Sequence, residues 1–153
     1  MNYPEKIARG LREVYFGRNW TAVDLKGSLQ GMTWEMASSK IGSHHSIAVL
    51  VYHIHYYVRG VARYLKGGII DTQDKYSFDL PIITNDEEWE QFLTEIFAEA
   101  EAFSQLIEGL SPEKLEEDFK GESYGCYFRN ITGLIEHAHY HLGQIVLLKK
   151  LMA

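Results

Sequence analysis

Apolar residues recur along this chain every three or four positions, and short alternating runs bounded by turn dipeptides are absent. That period predicts helices rather than strands. A first helix is expected from Pro4 to Tyr15, with Pro4 in the first turn, where a missing N–H breaks no bond. Gly17 and Asn19 should end it. Within Thr21–Lys40, Leu25, Leu29, Met32 and Met36 recur three or four apart. They predict one or two short helices, weakened by Gly27 and Gly31. A second long helix should run from His44 or His45 to Lys66. Ser43 or Ser46 is its cap, and Gly67-Gly68 its stop.

Residues Gly67–Ile83 then form a connection longer than the two to eight residues usual between neighbouring helices of a bundle. Its length predicts a crossover rather than a hairpin. Thr84-Asn85-Asp86-Glu87 reads as a capping box, with Thr84 at the N-cap and Glu87 three residues on. The third long helix follows to Gly109. Ser111-Pro112-Glu113 opens a short helix, Gly121–Cys126 is a loop, and the last helix runs from Tyr127 to Met152. The expected fold is all-α: a four-helix bundle with a long crossover between the second and third helices. It forms one domain over residues 1–153.

Composition narrows the function classes without choosing among them. A chain of 153 residues fits one domain with a real core. Fifteen basic against 21 acidic residues give a net charge of -6, which opposes nucleic acid or an anionic membrane surface as partner. The longest apolar stretch, Ser46–Val58, is too short to span a bilayer and is interrupted by His53 and His55. The start, MNYPEKIARG, lacks the apolar core of a secretory signal. A single cysteine, Cys126, allows no internal disulfide, so a cytoplasmic setting is expected.

The seven histidines carry the chemistry. At about 100° per residue, Tyr127, Ile131, Leu134, Ala138, Ile145, Leu148 and Met152 form one stripe of the last helix. His141 lies inside that stripe and His137 on its edge, one turn away. His139 points to the opposite side. His137 and His141 are thus an i, i+4 pair able to converge on one point. Neutral imidazoles so spaced suit zinc, nickel or iron. In the second helix, His53 flanks the apolar stripe on one side, level with Tyr57 and Tyr64. His55 and His44 flank it on the other, and His45 points away. Periodicity alone leaves His53 and His55 as equal candidates for a third ligand.

Ser46-Ile-Ala-Val-Leu-Val-Tyr-His53, followed by His137-Ala-His-Tyr-His141-Leu-Gly-Gln-Ile145, resembles the DinB/YfiT-like superfamily of four-helix bundles, many of them regarded as metal-dependent enzymes. The resemblance spans nearly the whole chain, including Trp20, the capped third helix and the start at Ser111. It implies a metal triad of one histidine from the second helix and two from the last: His53, His137 and His141. Many relatives carry an acidic residue directly after the first of the last-helix histidines, where this chain has Ala138.

These features together predict a divalent metal, zinc, nickel or iron, at a three-histidine site with open positions. The expected function is a metal-dependent enzyme activating water or a thiol, of the hydrolase or thiol S-transferase type. Its substrate would be a small molecule or a thiol cofactor. The alternative is a non-enzymatic dimeric bundle or partner-binding module. Metal occupancy should fall below about pH 6, where free imidazole protonates. A homodimer is expected from the aromatic content and the resemblance. Gly143 is expected to permit close helix packing, and Gln144 to reach a ligand or bound water from beside His137. Cys126 reads as a loop cysteine, Tyr52, Tyr56 and Tyr57 as packing residues, and the acidic run Glu113–Asp118 as a solvated face.

Overall fold

A computed structural model describes residues 1–153, which form seven α-helices and no strand. Helix α1 spans Tyr3–Phe16, α2 Leu25–Leu29, α3 Trp34–Ser38, α4 Ile47–Leu65, α5 Asp86–Glu108, α6 Pro112–Glu116 and α7 Tyr127–Met152. The all-helical expectation holds, and Thr21–Lys40 resolves into the two short helices α2 and α3.

Side chains at the N-caps explain where the helices begin. Asn2 closes a full capping box with Glu5, starting α1 one residue before Pro4. Asp24, Thr33, Ser46 and Ser111 each accept a backbone N–H at the starts of α2, α3, α4 and α6. The expected cap of α5 is displaced by one residue. Asn85, not Thr84, is the N-cap and accepts from the Glu88 N–H. The Glu88 carboxylate reaches back to the N–H and hydroxyl of Thr84. Because Ser46 caps α4, His44 and His45 precede the helix, and the wheel that turned His45 away does not apply to it. Gly67, at φ +84°, ends α4 in the left-handed region.

The four long helices make a closed ring of contacts: α1 packs on α5 and α7, and α4 packs on the same two. Helices α4 and α7 run antiparallel. Tyr64 stacks beside Tyr127 at one end, and Leu50 and Leu148 line one cavity at the other. Helices α1 and α5 are also antiparallel, with Phe16 against Phe97 and Arg12 bridging Glu101 and Glu108. Helices α4 and α5 advance in the same direction, from the His55–Glu99 contact to the cavity shared by Lys66 and Leu106. Residues 66–85 connect these two helices.

That connection is held against α4. The Tyr56 hydroxyl exchanges hydrogen bonds with both backbone groups of Gln73, and the Tyr57 hydroxyl donates to Asp74 at 2.6 Å. Thr72 lies so close to Gly60 that a Cβ there would meet its methyl at 2.2 Å. Glycine in mid-helix weakens α4 in isolation, yet it lets the connection approach. The core gathers Leu11, Tyr15, Ile54, Phe103, Ile107 and Ile131 between the long helices. Trp89 anchors the α2–α3 segment by donating Nε1–H to the Met32 carbonyl at 2.9 Å.

Trp89→Phe keeps most of the buried ring but leaves that carbonyl without its donor. A loss of about 1–3 kcal/mol is expected, measured by urea denaturation.

Candidate metal centre

The α4–α7 seam brings three imidazoles together. His53 and His141 are buried and His137 is half-buried, and their nearest donor atoms all lie within 4.8 Å of one another. Nε2 of His53 and Nε2 of His137 are 3.0 Å apart. The His141 ring centroid lies 4.6 Å from that of His53 and 4.5 Å from that of His137. These are the three histidines that the resemblance implied, and it is His53, not His55, that lies beside the α7 pair. His139 is half-buried on another side of α7 and shares none of these contacts.

Hydrogen bonds set the tautomers. The Ser77 hydroxyl donates to the Asp74 carbonyl at 2.7 Å, so its oxygen accepts from His53 Nδ1–H at 3.0 Å. His53 Nε2 is therefore a bare lone pair. Gln144 Oε1 accepts from His141 Nδ1–H at 2.6 Å, which likewise frees His141 Nε2. Gln144 thus supports His141 rather than His137, the neighbour the wheel suggested. His137 donates Nε2–H to His53 Nε2, leaving its buried Nδ1 with no hydrogen-bond partner. Two lone pairs face the centre, and one proton stands between the first two rings.

This donor set fits a first-row divalent ion. Such ions bind imidazole nitrogen at about 2.0–2.1 Å and accept three histidines with open positions. Two donors on one ion can be at most about 4.2 Å apart at those bond lengths, so the 4.8 Å spread closes with a small inward movement.

Burial and mutual proximity keep the rings neutral. Desolvation, then the neighbouring His141, lowers His53 to about 4. Desolvation with His141 and His53 lowers His137 to about 4. Burial lowers His141 too, against the opposing hydrogen bond from Gln144. Imidazoles held this far below 6.5 compete with a metal only at lower pH than free histidine, so the expected loss of metal below about pH 6 shifts to more acidic conditions.

The surroundings differ on the two sides. Phe78 stacks on His53 at 3.9 Å between centroids, and His45 stacks on Phe78 at 4.3 Å. His45, though exposed, is thereby part of a stack over the site. On the other side His137 lines an open cavity of about 390 Å³ with Tyr57, Tyr124 and Arg129. A cavity of about 540 Å³ between Phe16, Met32 and Trp89 includes no histidine.

His55 has a different role. It is buried, donates Nε2–H to Glu99 at 2.7 Å, and accepts from the Tyr15 hydroxyl at 3.1 Å. Burial lowers the imidazole, while the bonds from His55 and Arg59 hold the Glu99 carboxyl at about 2. A neutral ring bridging a phenol and a carboxylate ties α1, α4 and α5 together.

Ser77, Asp74 and Phe78 are absent from the sequence-based site. The one signal for them was the length of the connection that carries them. Gly143 is exposed, and a Cβ there would meet nothing within 4 Å, so it permits no close packing within the chain. Cys126 is a free, partly exposed N-cap residue whose side chain makes no capping bond. Glu113, Glu116, Glu117 and Asp118 are exposed, as a solvated face should be. No helix is long and apolar enough to cross a membrane. No family model, curated protein or solved structure matches the chain.

The pKa shifts dictate a pH response of the metal-free protein. Unfolded histidine titrates near 6.5, and His53 and His137 near 4. Between those values the unfolded chain binds more protons than the folded one, so stability falls as pH drops through that window and is flat above it. Urea midpoints should show this slope, and His53→Gln with His137→Gln should flatten it. Ser77→Ala frees the His53 ring to take the other tautomer. It should weaken metal binding by about 10–100-fold, read by competition with a chromophoric chelator.

Proposed function

We propose that this chain is a DinB-like four-helix bundle with a crossover between α4 and α5. In this reading it is a cytoplasmic metal-dependent enzyme that acts on water or a thiol at His53, His137 and His141. The ring of helix contacts, the parallel run of α4 and α5 and the long connection between them support the architecture. The observation that carries the enzymatic reading is His137 itself, which belongs both to the three-histidine group and to the wall of an open cavity. Structural metal sites are closed by four protein ligands, whereas three ligands and an access route are the catalytic arrangement.

A bound divalent ion supplies Lewis-acid polarisation and lowers the pKa of a water or thiol. The chain's own residues prepare the donors. Ser77 and Gln144 hold His53 and His141 with Nε2 free. Phe78 and Tyr57 cover the rings, exclude water from the buried side and keep the imidazoles neutral. Tyr57 is itself anchored to Asp74, which fixes its ring edge-on to His53 and His137. Arg129 and Tyr124 offer a cation and a phenol to a small molecule entering beside His137.

Metal analysis of the purified protein should return about one divalent ion per chain. His141→Ala should lose it, and His139→Ala should retain it. Chelator should lower the melting temperature of the wild type and of His139→Ala, since a ligand bound only to the folded state stabilises by mass action. It should leave His141→Ala unmoved. Equal behaviour of the two variants would refute the site. Cobalt-loaded protein should change its visible spectrum when a small thiol is added, and an unchanged spectrum would refute an open coordination position for thiols.

A further inference from the structure

The helix faces that carry the three histidines do not end with them. His53, Tyr57 and Val61 recur four apart on α4, and His141, His137, Leu134 and Asn130 recur three or four apart on α7, so each set lies on one face. The two helices are antiparallel, and their seam therefore continues from the imidazoles toward the Tyr64–Tyr127 stack. Two cavities lie along it. One, of about 390 Å³, is lined by His137, Arg129 and Tyr124. The next, of about 450 Å³, is lined by Val61, Ile70, Thr72, Asp74 and Phe119. Tyr57, Tyr124, Asn130 and Leu134 line both, so the cavities adjoin as one groove of a size that suits small ligands.

The lining changes character along the groove. Val61, Phe119 and Leu134 are buried and, with the partly buried Ile70, make an apolar floor. The polar residues at that end are engaged elsewhere: the Asp74 carboxylate accepts from the Tyr57 hydroxyl, and the Thr72 methyl lies against Gly60. Toward His137 the rim is cationic. Arg129 lines it, and Lys120 Nζ lies over the Tyr124 ring at 5.4 Å. Gly133 leaves room for the guanidinium, since a Cβ there would meet Arg129 Nη1 at 3.2 Å. Arg129 pairs with the exposed Glu136, while the Lys120 ammonium donates only to the Ile70 carbonyl. The exposed Tyr124 adds a hydroxyl. Two cations and a phenol at one rim, in a chain of net charge -6, select an anion.

We infer that this groove binds an amphipathic carboxylate, with its hydrocarbon tail between Val61, Ile70, Phe119 and Leu134 and its head group at Lys120, Tyr124 and Arg129, next to His137. A tail on an apolar floor gains affinity with each methylene it buries. A carboxylate at the rim keeps part of its hydration and avoids the cost of burying an ion. His137 and Asn130 are about 10 Å apart along α7, the reach of a medium-length chain. A neutral apolar ligand would leave the cations unused, and a small inorganic anion would leave the floor bare. As a statement about substrate, the inference rests on the three histidines being a reactive centre, to which the head group rather than the tail is then presented. As a statement about binding, it needs only the groove.

Calorimetric titration of the full chain with sodium octanoate should show binding about tenfold or more tighter than butanoate, which shortens the tail, and than octylammonium, which reverses the charge. Ile70→Asn should weaken octanoate by about tenfold and leave butanoate unchanged. Lys120→Gln with Arg129→Gln should weaken octanoate by about tenfold and abolish its advantage over octylammonium. Circular dichroism reports whether these variants keep the helical fold. No octanoate binding at millimolar concentration, equal affinity for octanoate and either control, or octanoate binding that both folded variants leave unchanged would each overturn the inference. On cobalt-loaded protein, 2-mercaptooctanoate should alter the visible spectrum at about tenfold lower concentration than 2-mercaptopropanoate. Equal potency of the two thiols would overturn the role of the groove in presenting substrate. Octanoate bound as expected, with a cobalt spectrum that neither thiol alters, would refute the reactive centre and uphold the carboxylate site.

Discussion

Two imidazole nitrogens, Nε2 of His53 and Nε2 of His137, meet 3.0 Å apart inside the seam between α4 and α7. Such a pair tolerates one proton between its lone pairs or a cation in place of that proton, and it does not tolerate two charged rings. Burial makes the neutral state mandatory, because an ionised imidazole there would lose its hydration beside two others. Every supporting feature follows from this constraint. His53 and His141 each present a bare Nε2, so the Nδ1–H of each needs an acceptor. Ser77 and Gln144 provide them. His137 carries its proton on Nε2, and its bare Nδ1 meets no donor, which leaves His137 the least restrained ring, on the wall of the cavity.

The same constraint explains the connection between α4 and α5. Joining two parallel helices demands length, but length alone would be met by any solvated loop. Here the segment is pinned by tyrosines from successive positions of α4 and pressed onto Gly60. It delivers a fully buried serine to His53 and a phenyl ring across its face. A buried hydroxyl is costly unless both its functions are used. Ser77 uses both, giving its proton to Asp74 and accepting one from His53. The topology and the tautomer of a candidate ligand therefore depend on the same few residues.

Much of this was legible from the order of residues. Period and capping residues are local properties, so α7 was read to the residue and the other helices to within a few. The i, i+4 pair His137 and His141 was legible for the same reason, since a helix wheel fixes both directions. What stayed hidden was relational. Whether His53 or His55 faces α7 depends on which flank of α4 meets which neighbour, and no one-helix argument contains that. Ser77 was hidden because an irregular segment has no period from which to project its side chains. The role of His45 was misread because the wheel was extended past Ser46, where the helical geometry stops. Gly143 was misread because a glycine beside a histidine looks like a packing device, and only the surrounding space shows that nothing packs on it within the chain.

Helix α7 is thus divided lengthwise into three strips with different physical tasks. Ile131, Ala138, Leu142 and Ile145 bury into the core, where close packing fixes the helix rotation. His137 and His141 sit at the margin of that strip, so the rotation set by the core also aims the imidazoles at His53. The third strip carries Glu136, Tyr140, Gly143, Leu147 and Leu151 and faces outward, with only the Tyr140 ring edge-on to His141. Gln144 stands at the border of the last two, with its amide oxygen on His141 Nδ1. A change of environment on the outer strip therefore has a direct route to one candidate ligand. An acceptor shielded from water strengthens its bond to His141 and makes the imidazole a better donor, while an acceptor shared with water weakens both. The core strip cannot transmit such a change, because its side chains are already close-packed and have no polar atom to reorient.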